Sequence, residues 1–121
     1  MVTAGEFKQE LLKIHNGVNM EIFFQGLHQQ RVEIVGEKAI IIAKNNRVRV
    51  LSIVDQCDPT VSRMVDQVLL VEFKRRFRQR VEERFGVPVF SLIKDYDPKA
   101  EMSIVVLVYE QMVEAFLPEI L

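Results

Sequence analysis

A single cysteine, Cys57, stands among the 121 residues. No disulfide can close within the chain, so the fold must rest on a hydrophobic core, and a reducing, cytoplasmic setting is expected. No window approaches the roughly 18 uncharged apolar residues that a membrane-spanning helix needs, so no transmembrane segment is expected. The opening "MVTAGEFKQELLK" lacks the cationic end and apolar run of a secretory signal. Net charge is −1, which removes the broad positive field of a general polyanion binder. The two histidines, His15 and His28, have no Cys or acid at ligand spacing, so they make no zinc site. Neither lies near Cys57 in sequence, so a thiolate there has no evident base. Phosphate-cradling glycine loops and nucleophile elbows are missing too. No catalytic residue, cofactor ligand or metal ligand is assigned from sequence.

What is present is the composition of a folded domain: 49% hydrophobic and 27% charged residues. The length suits one domain over residues 1–121. Thr3 and Glu6 have capping-box spacing, and Phe7, Leu11, Ile14, Val18 and Ile22 then share one helical face. This predicts a helix over about 4–25, with Gly26 as its C-cap. "QRVEIVGEKAIIIAKN" alternates, turns at Gly36-Glu37 and alternates again, which predicts a hairpin of strands 29–35 and 38–44. "RVRVLSIVDQCDP" is ambiguous. Its β-branched content suits a strand and its spacing suits a short helix, the reading preferred over 47–55. Asp58-Pro59 then starts a long helix over 59–85, closed by Gly86. "VPVFSLIKDYD" and "EMSIVVLVYE" read as a second hairpin, and "EQMVEAFL" as a terminal helix ending at Pro118. The order predicts a two-layer α+β sandwich: an antiparallel sheet of two β-hairpins with a long N-terminal helix and a long central helix.

The long helix is the most informative stretch. At about 100° per residue, Val61, Met64, Val65, Val68 and Leu69 share one side, with Ser62, Arg63, Asp66 and Gln67 opposite. From 73 onward the apolar set, Phe73, Phe77, Val81 and Phe85, lies where the polar set had been. Leu70 sits at the changeover. A break near Leu70, a straight rod sheltered by two neighbours, or phenylalanines reaching loosely into one core would each produce this pattern. The second is preferred, with the other neighbour being another copy of the chain. A homodimer is therefore expected, with Leu70, Phe73, Phe77, Val81 and Phe85 at its interface.

"FKRRFRQR" gathers Lys74, Arg75, Arg76, Arg78 and Arg80 as candidate anion-binding residues. The cations spread around the helix, and carboxylates stand at pairing distance. A solvated face is the favoured reading, with nucleic-acid or anionic-surface binding as the alternative. "KDYDPKAE" places Asp95, Asp97 and Glu101 around a turn, too few ligands for a calcium loop.

"QRVEIVGEKAIIIA", "LVEFKRRFRQRVEERFGV" and "LIKDYDPKAEMSIVVLV" together resemble the MpsC-like family, a small bacterial domain of largely unknown function. The resemblance covers about residues 5–110. Its most specific element is the turn Lys94, Asp95, Tyr96, Asp97 and Pro98. Many members have Gly-x-Gly-Pro after the first helix, whereas "FFQGLHQQ" keeps only Gly26. The family name implies a soluble accessory to an ion- or bicarbonate-handling membrane system, hence a membrane-transport protein as partner, and supplies no catalytic residues. The expected function is a non-enzymatic, dimer-forming cytoplasmic interaction module. Its second alternative, a small-ligand domain or an enzyme, requires a pocket lined by convergent polar groups, which the sequence alone does not name.

Overall fold

The computed structural model describes residues 3–117. In chain order it has α1 (Ala4–Phe23), β1 (Gln29–Val35), β2 (Lys38–Lys44), α2 (Arg49–Cys57), α3 (Pro59–Phe85), β3 (Ser91–Asp97), β4 (Met102–Val108) and α4 (Val113–Phe116). The α+β class, both hairpins and the two long helices stand as the sequence predicts. The ambiguous stretch is a helix, two residues further along than the 47–55 span. The sheet is antiparallel throughout, in the order β1-β2-β4-β3. Strand composition explains that order. β2 and β4 carry Ile or Val on both faces, which suits central strands. β1 and β3 carry Arg31, Glu33, Asp95 and Asp97, the charges that protect edges.

One face of the sheet is covered. Val32, Ile41 and Val105 form a buried cross-strand row beneath the helices, beside Ala39 and Leu107. Phe7 near the start of α1 meets Phe85 at the end of α3, with ring centroids 4.6 Å apart. His15 meets Phe73 and Phe77 at 5.3 and 5.7 Å, so the two helices run in opposite directions. Thr3 caps α1 by accepting from the Glu6 N–H at 3.1 Å. The helix ends at Phe23 rather than near 25. Phe24, not Gly26, takes the left-handed cap at φ 57°. Two asparagines hold that departure: Asn19 donates to the Gln25 carbonyl, and Asn16 accepts from the Leu27 N–H, each at 2.8 Å. The terminal helix is a single turn, Val113–Phe116, whose Val113 and Phe116 close the core. Pro118, its expected stop, lies outside the described residues.

α3 is unbroken over 27 residues, so a break at Leu70 is excluded. The expected interface is also corrected. Phe73, Phe77 and Val81 are fully buried and Phe85 nearly so, all within the chain's own core. Leu70 is half-buried. The physical reason is that α3 keeps one inward line along its whole length. That line runs through Ser62, Asp66, Leu70, Phe73, Phe77, Val81 and Phe85, spaced by three or four residues, and its chemistry changes rather than its direction. In the first half the polar side turns inward and the apolar side turns out, leaving Val61, Met64, Val68 and Val71 exposed.

Candidate ligand-binding site

Where the inward line of α3 changes from polar to apolar, the molecule has a pocket of about 70 Å³. A single water needs roughly 10–15 Å³ of such space, so the pocket has room for a ligand of a few non-hydrogen atoms. Its walls come from the end of α1 (Asn19, Phe23), the loop before α2 (Asn45 to Val48), the middle of α3 (Asp66 to Phe73) and β3 (Lys94 to Tyr96).

Lys94 is the unusual residue of that wall. Strand alternation puts it on the inner face of β3, paired with Val105 and in line with Ile41 and Val32. It therefore occupies a place where a hydrophobic residue would be expected. Its side chain is 7% exposed, and its amine finds no hydrogen-bond partner among the described residues. The amine lies 3.9 Å from the centroid of the Phe73 ring, a cation–π contact. Burial pulls its pKa down to about 8, because the charged form loses water.

A second buried group shares the wall. Asn19 is 1% exposed, and its Oδ1 has no partner among the described residues while its amide nitrogen is engaged with Gln25. The pocket thus offers a strong donor and an idle acceptor. Behind it, His15 is fully buried, and burial, with the Lys94 charge adding, lowers its pKa to about 3. Gln30 uses its amide nitrogen on the Leu12 carbonyl, which turns its Oε1 toward His15 Nδ1 at 3.0 Å. Nδ1 therefore carries the proton, and the neutral ring packs edge-on against Phe73 and Phe77.

The opposite rim is fixed by Arg47. Its guanidinium donates to both oxygens of Asp55 at 2.9 and 2.8 Å, to both of Asp66 at 2.7 and 3.0 Å, and to Ser62 at 2.8 Å. Its backbone N–H donates to Glu101 at 2.7 Å. The hydroxyl of Ser62 donates to Asp55. These bonds explain why Ser62 and Asp66 face inward, and they join α2, α3 and the β3–β4 turn at one point. Hydrogen bonds from Arg47 and Ser62 hold the Asp55 carboxyl down at about 2, and the same pairing with Asp55 and Asp66 raises Arg47. Tyr96 completes the rim. Its hydroxyl donates to the Asn45 carbonyl at 2.8 Å, and its burial raises its pKa to about 12.

The turn singled out by sequence therefore contributes Lys94, Asp95 and Tyr96 to the pocket wall. Its polar groups also serve the chain. Asp97 accepts from the Lys99 and Ala100 N–H groups, Pro98 sits in the turn, and exposed Asp95 accepts from the Tyr96 N–H. Glu101 is engaged by Arg47, so Asp95, Asp97 and Glu101 serve three different partners, and no cluster of three potential ligands occurs among the described residues. The basic run is largely paired within the chain. Arg75 and Arg76 bind Glu72, Arg76 and Arg80 reach Glu21, and Arg78 bonds the Val89 carbonyl. Lys74 has no ion-pair partner among the described residues, and Phe73 and Phe77 are inside the core rather than free to stack on bases. No helix of the described residues is long and apolar enough to cross a membrane.

Asn19, Arg47, Asp55, Ser62 and Asp66 are site residues that the sequence did not reveal. Lys94 carried a signal: in "LIKDYD" it alternates with Leu92 and Tyr96, which points all three the same way. No protein-family model, curated protein or solved structure matches the chain.

Proposed function

We propose that this chain is a small-ligand-binding domain whose pocket takes a small organic carboxylate bearing a hydroxyl or amino group. The observation that carries the reading is the Lys94 amine, buried in the pocket wall without a hydrogen-bond partner among the described residues. A buried cation without a counter-charge is costly, and a carboxylate would supply the missing charge and hydrogen bond. The idle Asn19 Oδ1 asks for a donor, which a hydroxyl or amino group provides. Phe23, Leu69, Leu70 and Phe73 give a short carbon skeleton an apolar wall. Arg47, already saturated by two aspartates, shapes the rim rather than binding the ligand. The MpsC-like resemblance sets such a domain beside an ion- or bicarbonate-handling membrane system.

The test is calorimetric titration and thermal shift of the purified chain with acetate, lactate and alanine. Saturable binding is expected, with lactate or alanine tighter than acetate. Lys94→Met should abolish it, and Asn19→Leu should remove the preference over acetate. Binding unchanged in Lys94→Met, or no stabilisation of the wild type by any of the three, would overturn the reading.

A further inference from the structure

Among the described residues, no element covers the face of the sheet away from the helices, and that face is apolar at its centre. Strand register sets out its rows. One row is Glu33, Ile40, Val106 and Ile93, and the next is Arg31, Ile42, Ile104 and Asp95. Ile93 and Ile104 are exposed, and Ile40, Ile42 and Val106 are half-buried. Antiparallel sheets commonly leave one face to water, but then that face reads polar. Here the polar residues are confined to the edge strands and to Lys38 and Lys44 at the two ends of β2.

We propose that this face packs against the same face of a second copy of the chain, sheet on sheet, about a twofold axis parallel to the strands. The charge pattern selects both the occupant and the axis. Rotation about an axis along the strands, between β2 and β4, lays β1 over the partner's β3 and β2 over its β4. Ile42 then meets Ile104 and Ile40 meets Val106, all apolar on apolar. Arg31 meets Asp95, once on each side of the dimer, and Glu33 lies over Ile93 at the rim, where its carboxylate keeps its water. An axis across the strands would set Arg31 over Glu33 at the edge, but it would also lay Lys38 over Lys44 within the central column, a like-charge contact that the first axis avoids. Aligned sheets pack roughly 10 Å apart with their strands within about 30° of each other, a gap that the long Arg31 side chain and Asp95 close between them. Four strands of seven residues cover roughly 450 Å² in projection, from strand spacing and rise. Side-chain relief raises this toward the ~800 Å² per partner of a standard interface. This face replaces the interface expected from residues 70–85. Its apolar centre is separate from the pocket, because Lys94 points to the other side of the sheet and only Asp95 borders both.

Sedimentation velocity of the full chain between about 1 and 100 µM tests the inference. A concentration-dependent dimer is expected. Ile104→Asp should make it monomeric while its circular dichroism stays native, since the residue is already exposed. Arg31→Asp and Asp95→Arg should each weaken the dimer about tenfold, and the combined exchange should restore it to within about threefold. Lys94→Met should leave the dimer intact. A wild-type monomer at 100 µM overturns the proposal, and it would be the result if a different protein or a lipid surface covers this face. So would a dimer that survives Ile104→Asp but dissociates on Val68→Asp, which would move the contact to the exposed stripe of α3. Failure of the charge exchange to restore association overturns the axis.

Discussion

Lys94→Met should make this protein more stable. The pKa of Lys94 falls from 10.5 to about 8 through burial. At about 1.4 kcal/mol for each tenfold change in proton affinity, the charged form is therefore disfavoured by about 3 kcal/mol in the folded state. Methionine removes that penalty and has a similar length and shape. The lost cation–π contact with Phe73 subtracts roughly 0.5–1 kcal/mol. The net gain at pH 7 is then about 2 kcal/mol, or about 8 °C in Tm for a domain of this size. The sign of the pH course follows from proton counting. Between about pH 8 and 10.5 the unfolded chain holds the Lys94 proton and the folded chain has released it, so wild-type stability rises with pH relative to the variant. The gap should narrow above pH 8 and be nearly closed by pH 10. Tyr96 and Tyr109 also titrate in the alkaline range, but they do so in both proteins and cancel in the difference. Urea unfolding followed by circular dichroism at pH 7, 8, 9 and 10 measures this directly. A variant less stable than wild type at pH 7, or a gap of the same size at pH 7 and pH 10, would refute the reasoning. Stability gained by removing a side chain is the mark of a residue kept for binding.

Phe77→Ala should destabilise by about 3–5 kcal/mol, since its ring is fully enclosed by the chain's own core; chemical denaturation distinguishes this from the near-neutral effect of trimming an exposed ring. Acid should weaken the wild type between about pH 6.5 and 3, because the unfolded chain protonates His15 while the folded chain resists until its pKa of about 3. Acid unfolding of His15→Leu should show a flatter limb in that window. Arg47→Ala should cost about 2–3 kcal/mol by leaving Asp55 and Asp66 without their shared cation. Arg47→Lys should recover less than half of it, because an ammonium cannot bond both carboxylates in fork geometry; thermal melts of the two variants settle the comparison.

Much of the fold was legible in the chain because it is written in local signals. Alternation and Gly36 mark the first hairpin, Asp58-Pro59 and Gly86 bound the long helix, and Thr3 begins the first. These act within a few residues of one another, so order along the chain suffices to read them. The reversal of apolar sides along α3 was legible too. Its meaning was not, because sidedness has no direction until neighbours are known. Phe73, Phe77, Val81 and Phe85 looked like a stripe in need of a partner, and the partner was the chain's own sheet together with α1. Ser62 and Asp66 stood only as the side opposite the apolar set, and they turn inward because Arg47, distant in sequence, meets them. Strand order likewise needed tertiary pairing of β2 with β4, which no turn specifies. The pocket belongs wholly to the tertiary structure. Asn19, Arg47, Asp66 and Lys94 come from four separate segments, and only packing brings them around one cavity. Sequence alone determined both hairpins and the two long helices, because helix and strand propensities are short-range; the end of α1, set by Asn16 and Asn19, and the identity of α2 it left open. Only the folded chain decided which side of each is buried and where a charge is stranded, because burial is a relation between segments far apart in sequence.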